Sequence, residues 1–240
     1  MQGLVVLFED PAMLVVDKPP GVHTAPLRAG EEGTLLQMVL QAYPEVAAVP
    51  GVKAVEPGLV HRLDRETSGL VLVARTAAAF RSLRASFSAG AVRKTYVAAC
   101  FSEVPEKTLT LESSFAPYGP GRRKVRVVLR QAGTGGAATK TVYHTDAEVI
   151  AREGVRALVR AAINRGFRHQ VRAHLAYLGF PIYGDPLYGA SVPGVPAGLE
   201  QRMYLHAARI ELPHPETGAP LVVESPVPGS FTVLMEEETQ

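Results

Sequence analysis

Residues 61–70, His-Arg-Leu-Asp-Arg-Glu-Thr-Ser-Gly-Leu, constrain the fold and chemistry of this chain more than any other segment. They place one carboxylate, Asp64, between Arg62 and Arg65, and they lead into the apolar run 70–74, which predicts a buried strand. The carboxylate is followed by residues typical of a tight turn, Thr67, Ser68 and Gly69. An acid on a loop that enters a core strand is held by rigid structure yet reaches the surface, which suits a reactive group. The flanking arginines favour the ionised carboxylate. The plain alternative is a surface loop with solvated ion pairs, which add little stability.

Four blocks of the sequence together resemble the RluA-type family of RNA pseudouridine synthases, enzymes that isomerise uridine in RNA. Residues 61–70 are similar to the catalytic signature of that family, and residues 14–26, LVVDKPPGVHTAP, resemble its N-terminal strand and Lys-Pro-x-Gly loop. Residues 94–96, Lys-Thr-Tyr, resemble its Lys-x-Tyr strand, and residues 169–189 resemble its C-terminal helix and turn. The blocks occur in the order of the family and extend over most of the chain.

One position departs from the family pattern. The last block of the family reads Gly-Arg-x-His-Gln, with its arginine near the catalytic carboxylate, but here Phe167 follows Gly166. Arg168, one residue later, or Arg165, two residues earlier, would have to supply the charge from a shifted backbone, and we favour Arg168. If neither reaches Asp64, the electrostatic environment of the carboxylate differs from that in the family, which would indicate a divergent subgroup or a weakened activity. The alternative function is that of a catalytically impaired RNA-binding protein of the same fold, acting in RNA assembly.

The resemblance implies roles for individual residues. Asp64 would be the catalytic carboxylate, Tyr96 would lie against the flipped uracil, and Arg168 would pair with Asp64. A tyrosine suits its role because it offers an aromatic face and a hydroxyl that both donates and accepts. We predict RNA contacts for four further residues: Arg62, Lys94, Arg165 and Arg172. For Lys18 two interpretations stay open, a phosphate contact or a role in holding its own loop.

The implied reaction needs neither a cofactor nor a metal. It breaks a C–N glycosidic bond, turns the base and forms a C–C bond at the same sugar carbon, without a redox change or an external group. One carboxylate is sufficient, because it can act as nucleophile or base and can stabilise positive charge on the sugar. Whether Asp64 attacks the sugar, attacks the uracil or removes a sugar proton stays open. The base must also leave the stack to be reached.

Other chemistries have weaker support in the sequence. His169 and His174 have helical spacing, but no acid lies beside them as in metallohydrolases, so a metal site is not predicted. A carboxylate-dependent hydrolase would need a second acid, for which Glu66 is the nearest candidate. Asp185, within Gly-Asp-Pro, is expected to cap a turn.

Composition favours a globular protein with an anionic partner. Of 240 residues 47% are hydrophobic, which supports a core and argues against disorder. Acids are absent from residues 67–102, 113–145 and 154–184, which hold most of the lysines and arginines. Such segregation gives a positive field that attracts polyanions such as rRNA or tRNA. Cys100 is the single cysteine, so a cytoplasmic protein with a packed, inert thiol is expected. We expect no leader, no membrane segment and a monomer.

The pattern of the elements predicts an α+β fold, a mostly antiparallel or mixed central sheet flanked by helices and loops, with the active-site cleft across the sheet. Helices are predicted after the caps Thr34 and Thr76, and from Val171 to Leu178. Predicted strands lie at residues 4–8, 13–16, 70–74, 94–101, 109–111, 124–129, 140–144, 156–163, 203–212 and 221–224. Residues 131–138 are predicted to form a hairpin loop. We expect a single catalytic domain over residues 1–240, with no separate N-terminal RNA-binding domain.

Overall fold

The computed structural model describes residues 3–28, 30–129, 138–190 and 192–236. The described strands are β1 Val5–Glu9, β2 Met13–Lys18, β3 Ser68–Ala74, β4 Arg93–Phe101, β5 Thr108–Tyr118, β6 Lys124–Val128, β7 Tyr143–Glu153, β8 Arg156–Ile163, β9 Leu205–Pro213 and β10 Pro220–Glu224. The described α-helices are α1 Leu35–Ala42, α2 Ala77–Ala89, α3 Gln170–Tyr177 and α4 Gly229–Glu236, and short 3-10 helices span Pro44–Ala48 and Pro120–Arg122. This mixture confirms the predicted α+β class.

The chain forms two compact units, each built from segments that are not contiguous in sequence. The first contains the described residues of Met1–Lys94 and His206–Pro226, and the second those of Thr95–Leu205 and Val227–Gln240. Because each unit needs two separate segments, neither corresponds to a domain appended at one end of the chain. The single catalytic domain over residues 1–240 stays a prediction.

The sheet of the first unit is mixed. β2 pairs antiparallel with β1 and β3, β9 pairs antiparallel with β10, and β3 and β9 pair in parallel. Every residue of β3 is buried, as expected for a strand covered on both faces. One face packs against α2, whose Phe80 and Leu83 join a core with Val15, Leu72 and Ile210. This core holds the strand that carries the segment after Asp64.

The helix boundaries of the first unit follow from capping. The hydroxyls of Thr34 and Thr76 accept hydrogen bonds from the amides of Gln37 and Ala79, satisfying donors that the first turn leaves unpaired. Helix α2 ends at Gly90, whose φ of 75° is left-handed and is readily adopted only by glycine. All three predicted ends are confirmed.

In the second unit the strand order is β4-β8-β7-β5-β6. The pairs β5–β6, β5–β7 and β7–β8 are antiparallel. Cys100 lies fully buried on β4, and burial raises the pKa of its thiol, as expected for a packed, inert cysteine. Helix α3 ends before Gly179, as the sequence predicted.

Several predicted elements differ from the structure. Ser68 and Gly69 begin strand β3 instead of forming a turn, which lies earlier, at residues 65–66. Strands β5 and β7 are longer than predicted because polar and charged residues continue them, and α4 was not predicted at all. Most of the predicted hairpin loop, residues 131–137, lies outside the described residues. No helix in the described part of the chain is both long and apolar enough to cross a membrane.

Candidate active site

Asp64 lies half-buried on the loop that enters β3, in the first unit. Its carbonyl accepts a hydrogen bond from the amide of Thr67 at 3.2 Å, which closes a tight turn directly before the strand. The carboxylate is therefore carried by a short turn fixed to a fully buried strand. This is the rigid yet accessible position that the sequence predicted for a reactive group.

Two side chains, one from the last residue of β2 and one from the segment between β2 and α1, bind the backbone on either side of Asp64. The hydroxyl of Thr24 donates to the carbonyl of Leu63 at 2.9 Å and accepts from the amide of Leu63 at 3.2 Å. The ammonium of Lys18, fully buried, donates to the carbonyl of Arg65 at 2.9 Å. Both neighbours of Asp64 are thus held by residues about 40 positions earlier in the chain.

Lys18 also donates to the carbonyls of Pro19 and Val22, both at 2.8 Å. A buried ammonium bonded to three carbonyls holds the loop after β2 and the loop that carries Asp64 together. Of the two interpretations left open for this lysine, the structure supports the structural one.

Strands β3 and β9 approach each other closely beside the loop that carries Asp64. Ser68 is paired with His206 and Gly69 with Ala207, and the Ser68 hydroxyl lies 2.9 Å from Nδ1 of the His206 ring. Gly69 has a φ of 107°, and a β-carbon there would collide with the backbone of Ala207. Glycine is therefore required at this position, both for its dihedral angle and for the close contact.

His61, the first residue of the segment 61–70, has a structural role. Its Nε2 accepts a hydrogen bond from the amide of Leu72 at 3.0 Å, and its ring stacks on Phe87 with centroids 5.2 Å apart. Removal from water, together with the charges of Lys94 and Arg84, lowers the pKa of His61 to about 3. The imidazole is therefore neutral at physiological pH and able to accept.

The two arginines beside Asp64 contact other acceptors. Arg62 pairs with the buried carboxylate of Glu56 at 2.7 Å, and Arg65 pairs with Glu66 at 3.4 Å. Both are exposed at the surface of the first unit. Exposed arginines on either side of Asp64 are suited to phosphate contacts.

Lys94 and Arg172, both predicted to bind RNA, are buried. Lys94 is 8% exposed, with its ammonium 5.4 Å from the centre of the Phe87 ring, and burial lowers its pKa to about 8. Arg172 is 4% exposed and binds Asp185 through Nε and Nη2, at 2.8 and 2.7 Å. The burial of both side chains does not favour direct phosphate contacts.

Asp185 caps the turn that follows it, as predicted. Its Oδ1 accepts from the amides of Leu187 and Tyr188, at 2.8 and 3.0 Å. Burial acts to raise the pKa of Asp185, but the hydrogen bonds and charge of Arg172 and the amides of Leu187 and Tyr188 together outweigh that effect and hold the pKa below its ordinary value.

In the second unit, Tyr96 is buried on β4, and the loop before α3 carries Arg165, Phe167 and Arg168. The ring of Phe167 stacks in parallel on Phe115, with centroids 5.0 Å apart, and lies 5.1 Å from the ring of Tyr143. The residue at the position of the family's arginine is therefore part of an apolar cluster with Val125 and Ala173.

Arg168 is exposed, and its Nη2 donates to the carbonyl of Arg122 at 2.7 Å. A guanidinium has five N–H donors, so this bond is compatible with a further contact through its other nitrogens. Arg165 is also exposed, in the loop that follows β8.

The two histidines at helical spacing bind protein groups. His174 lies between the hydroxyls of Ser113 and Thr145, at 2.8 and 2.7 Å, and burial lowers its pKa to about 4. His169 precedes α3 and its Nδ1 lies 3.2 Å from the Tyr188 hydroxyl. Among the described residues, no group of three or more His, Cys, Asp or Glu side chains is arranged to hold a metal.

Comparison with known proteins shows the family of this chain. The family model described as RNA pseudouridylate synthase matches residues 12–177, which include Asp64, Tyr96 and Arg168. The chain belongs to this family. It is therefore an isomerase that acts on uridine in RNA.

Similar curated proteins include the ribosomal large subunit pseudouridine synthase D of Pseudomonas aeruginosa, 33% identical over 97% of this chain and 71% of the relative. The protein of that name from Nitrosomonas europaea is 32% identical over 97% of this chain and 64% of its own length. This chain thus spans about two thirds of these relatives. Among solved structures, human RNA pseudouridylate synthase domain containing 1 has a TM-score of 0.73, with 24% identity over 97% of this chain and 87% of that one. That likeness confirms the fold.

Proposed function

We propose that this protein converts uridine to pseudouridine in large-subunit ribosomal RNA, with Asp64 as the catalytic carboxylate. The observation that supports this most is the clamped turn, in which side chains from another segment fix the peptides before and after Asp64. A group held in this way is already ordered before the substrate binds. The entropy cost of positioning it is therefore part of the free energy of folding. The choice of RNA rests on the names of the relatives, and transfer RNA is the alternative substrate.

In this proposal Asp64 acts at the glycosidic bond of a uridine swung out of its stack. The bond between C1′ and N1 breaks, the uracil turns, and C1′ bonds to C5. The proton on C5 is then lost and N1 gains one, so the product is an isomer of the substrate. The carboxylate stabilises the positive charge on the sugar when the first bond breaks.

Tyr96 and Arg168 are proposed to complete the catalytic group. Tyr96 would lie against the turned base and accept the C5 proton or relay it, using the hydroxyl that both donates and accepts. Arg168 would supply the cation beside Asp64 that Phe167 cannot. Arg62 and Arg165 are proposed to contact RNA, because both are exposed.

We further propose a monomeric, cytoplasmic protein whose residues 1–240 work as one catalytic domain. A single cysteine fits a reducing compartment, and ribosomal RNA is assembled inside the cell. Light scattering behind a sizing column would measure the mass in solution, and a dimer would contradict the first part of this proposal.

The test uses purified protein with large-subunit ribosomal RNA and, separately, with transfer RNA, followed by carbodiimide mapping of pseudouridine. Wild-type protein should modify ribosomal RNA, and Asp64→Asn should not, while its far-ultraviolet spectrum and its affinity for the RNA stay unchanged. Asp146→Asn, which alters an exposed carboxylate on β7, is the matched control and should keep full activity. Binding without turnover by the wild-type protein on every RNA would favour the impaired RNA-binding protein instead.

A further inference from the structure

A chain of hydrogen bonds leads from the catalytic loop into the interior of the first unit. Oγ of Ser68 lies 2.9 Å from Nδ1 of His206, and Nε2 of His206 lies 3.0 Å from Oγ of Ser225. The Ser225 hydroxyl donates to Oδ2 of Asp17 at 3.1 Å. Ser68, His206 and Ser225 are each buried, and the four residues come from β3, β9, the end of β10 and β2.

The donor and acceptor of each hydrogen bond in this series can be assigned, starting from Ser225. Ser225 has a single O–H, which it donates to Asp17, so toward His206 its oxygen can only accept. Nε2 of His206 therefore carries a proton, and in the neutral tautomer with that proton Nδ1 is the acceptor. The hydroxyl of Ser68 then donates to Nδ1. Every bond has one donor and one acceptor, so one tautomer of His206 satisfies both of its neighbours.

Ser68 stands four residues after Asp64, directly after the turn closed by the Thr67 amide. The parallel pairing of β3 with β9 is registered at two positions, Ser68 with His206 and Gly69 with Ala207. The ladder between β3 and β9 is therefore short, although β2 pairs with β3 on its other side as far as Gly69. The side chain of His206 adds a third point of attachment, at the residue where the catalytic turn ends.

We propose that His206 is a positioning residue for Asp64, holding the end of the catalytic turn through Ser68. The role of Asp64 itself rests on the proposed function. Thr24 and Lys18 fix the peptides beside the carboxylate, and His206 fixes the point at which the loop becomes a strand. A loop released at this point would shift Asp64 relative to the uridine while the RNA-contacting surface stays in place. The rate of the chemical step should therefore fall, and the affinity for RNA should not.

Two substitutions separate the hydrogen bonds of His206 from its volume. His206→Phe keeps a ring of similar size and removes both bonds, and it should lower kcat on the order of 10- to 100-fold with KM within about twofold. His206→Gln retains one acceptor and one donor and should recover part of kcat. His214→Phe is the matched control, because His214 lies at the end of β9 and bonds Asp10 instead of the catalytic loop. It should lose stability and keep kcat.

A second measurement does not depend on activity. Hydrogen exchange of the Thr67 amide, which bonds the Asp64 carbonyl, should accelerate on the order of tenfold or more in His206→Phe. It should not change in His214→Phe beyond any loss of global stability. In a double-mutant cycle on kcat, Ser68→Ala and His206→Phe should be strongly non-additive, because each removes the same bond.

The outcomes distinguish this inference from the proposed function. Unchanged kcat and unchanged Thr67 exchange in His206→Phe, in a protein that needs Asp64 for turnover, would overturn the inference alone. Equal losses of kcat in His206→Phe and His214→Phe would also overturn it, since the effect would then be one of general stability. Faster Thr67 exchange in His206→Phe, if the wild-type protein had no turnover on any RNA, would support the positioning role of His206 and count against the proposed function.

Discussion

The hydroxyl of Thr24 bonds both backbone groups of Leu63, donating to its carbonyl at 2.9 Å and accepting from its amide at 3.2 Å. One side chain here makes the pair of contacts that a neighbouring strand would otherwise provide. Leu63 directly precedes Asp64, and Thr24 lies 39 residues before Leu63 in the chain. The position of the carboxylate therefore depends on an otherwise ordinary threonine in the segment after β2.

Thr24→Val should reduce both stability and turnover. Valine has the same shape but leaves the buried amide and carbonyl of Leu63 without their partner, at a cost of about 1–3 kcal/mol. Urea unfolding measures that cost, and single-turnover kinetics measures the chemical step. Thr34→Val is the control, because it removes the cap of α1, costs about 1 kcal/mol and leaves the catalytic loop unchanged. Equal turnover in the two variants would contradict the proposed clamp.

Arg168→Ala should impair turnover more than Arg165→Ala. Arg168 lies two residues before α3 and its guanidinium donates to the carbonyl of Arg122, whereas Arg165 lies three residues earlier in the exposed loop. An ordered cation loses less entropy when it contacts the reacting group. Single-turnover rates at saturating RNA would show the difference. The reverse order would assign the charge near Asp64 to Arg165.

Phe167→Arg, which restores the arginine of the family motif, should destabilise the protein and should not raise its activity. The new guanidinium would enter the cluster of Phe115, Tyr143 and Val125, where it would have no counter-charge, at a cost of about 3 kcal/mol or more. Thermal unfolding at neutral pH measures this loss. Phe167→Leu, which keeps an apolar side chain, is the control and should cost less. A stable and more active Phe167→Arg protein would contradict this prediction, because the apolar cluster would then accommodate the guanidinium.

Stability should fall as the pH decreases from about 6.5 to 4, through His174. Its pKa is lowered from 6.5 to about 4 in the folded protein, so in this range the unfolded chain binds more protons and protonation favours unfolding. A shift of this size corresponds to on the order of 3 kcal/mol. Urea titrations at several pH values would measure the slope. His174→Gln should reduce it and leave the part due to His61, whose pKa is lowered to about 3. Asp185, with its pKa below 3.8, contributes only at lower pH, where protonation of its carboxylate removes its stabilisation.

Local patterns in the sequence were sufficient to predict most of the elements. The caps Thr34 and Thr76, the glycine that ends α2 and the apolar run of β3 each act within a few residues, so the sequence reveals them. The long strands β5 and β7 were underestimated because polar residues continue them, and their pairing partners lie far away in the chain. Helix α4 carries few signals of its own and is held by packing.

The sequence motif singles out Asp64 but not the residues that hold its loop, and the catalytic role of Asp64 stays a prediction. Asp64 follows from the motif, whereas Thr24 and His206 matter through contacts that span 39 and 138 residues. Such contacts leave no local pattern. The sequence signal that could have found His206 is a histidine inside an apolar strand, where a buried ring needs polar partners. Burial of Lys94 and Arg172 was likewise hidden, because a basic residue looks the same in sequence whether it faces RNA or a buried partner.

The partners of the segment after Asp64 are also synthesised late, because they lie near the other end of the described chain. Ser68 meets a histidine that is translated 138 residues later, and the next contact lies 19 residues beyond that one. A nascent chain that has exposed only its catalytic string therefore lacks the strand that completes its support. The hydrogen bonds that hold the start of β3 can therefore form only after the chain has been synthesised as far as Ser225.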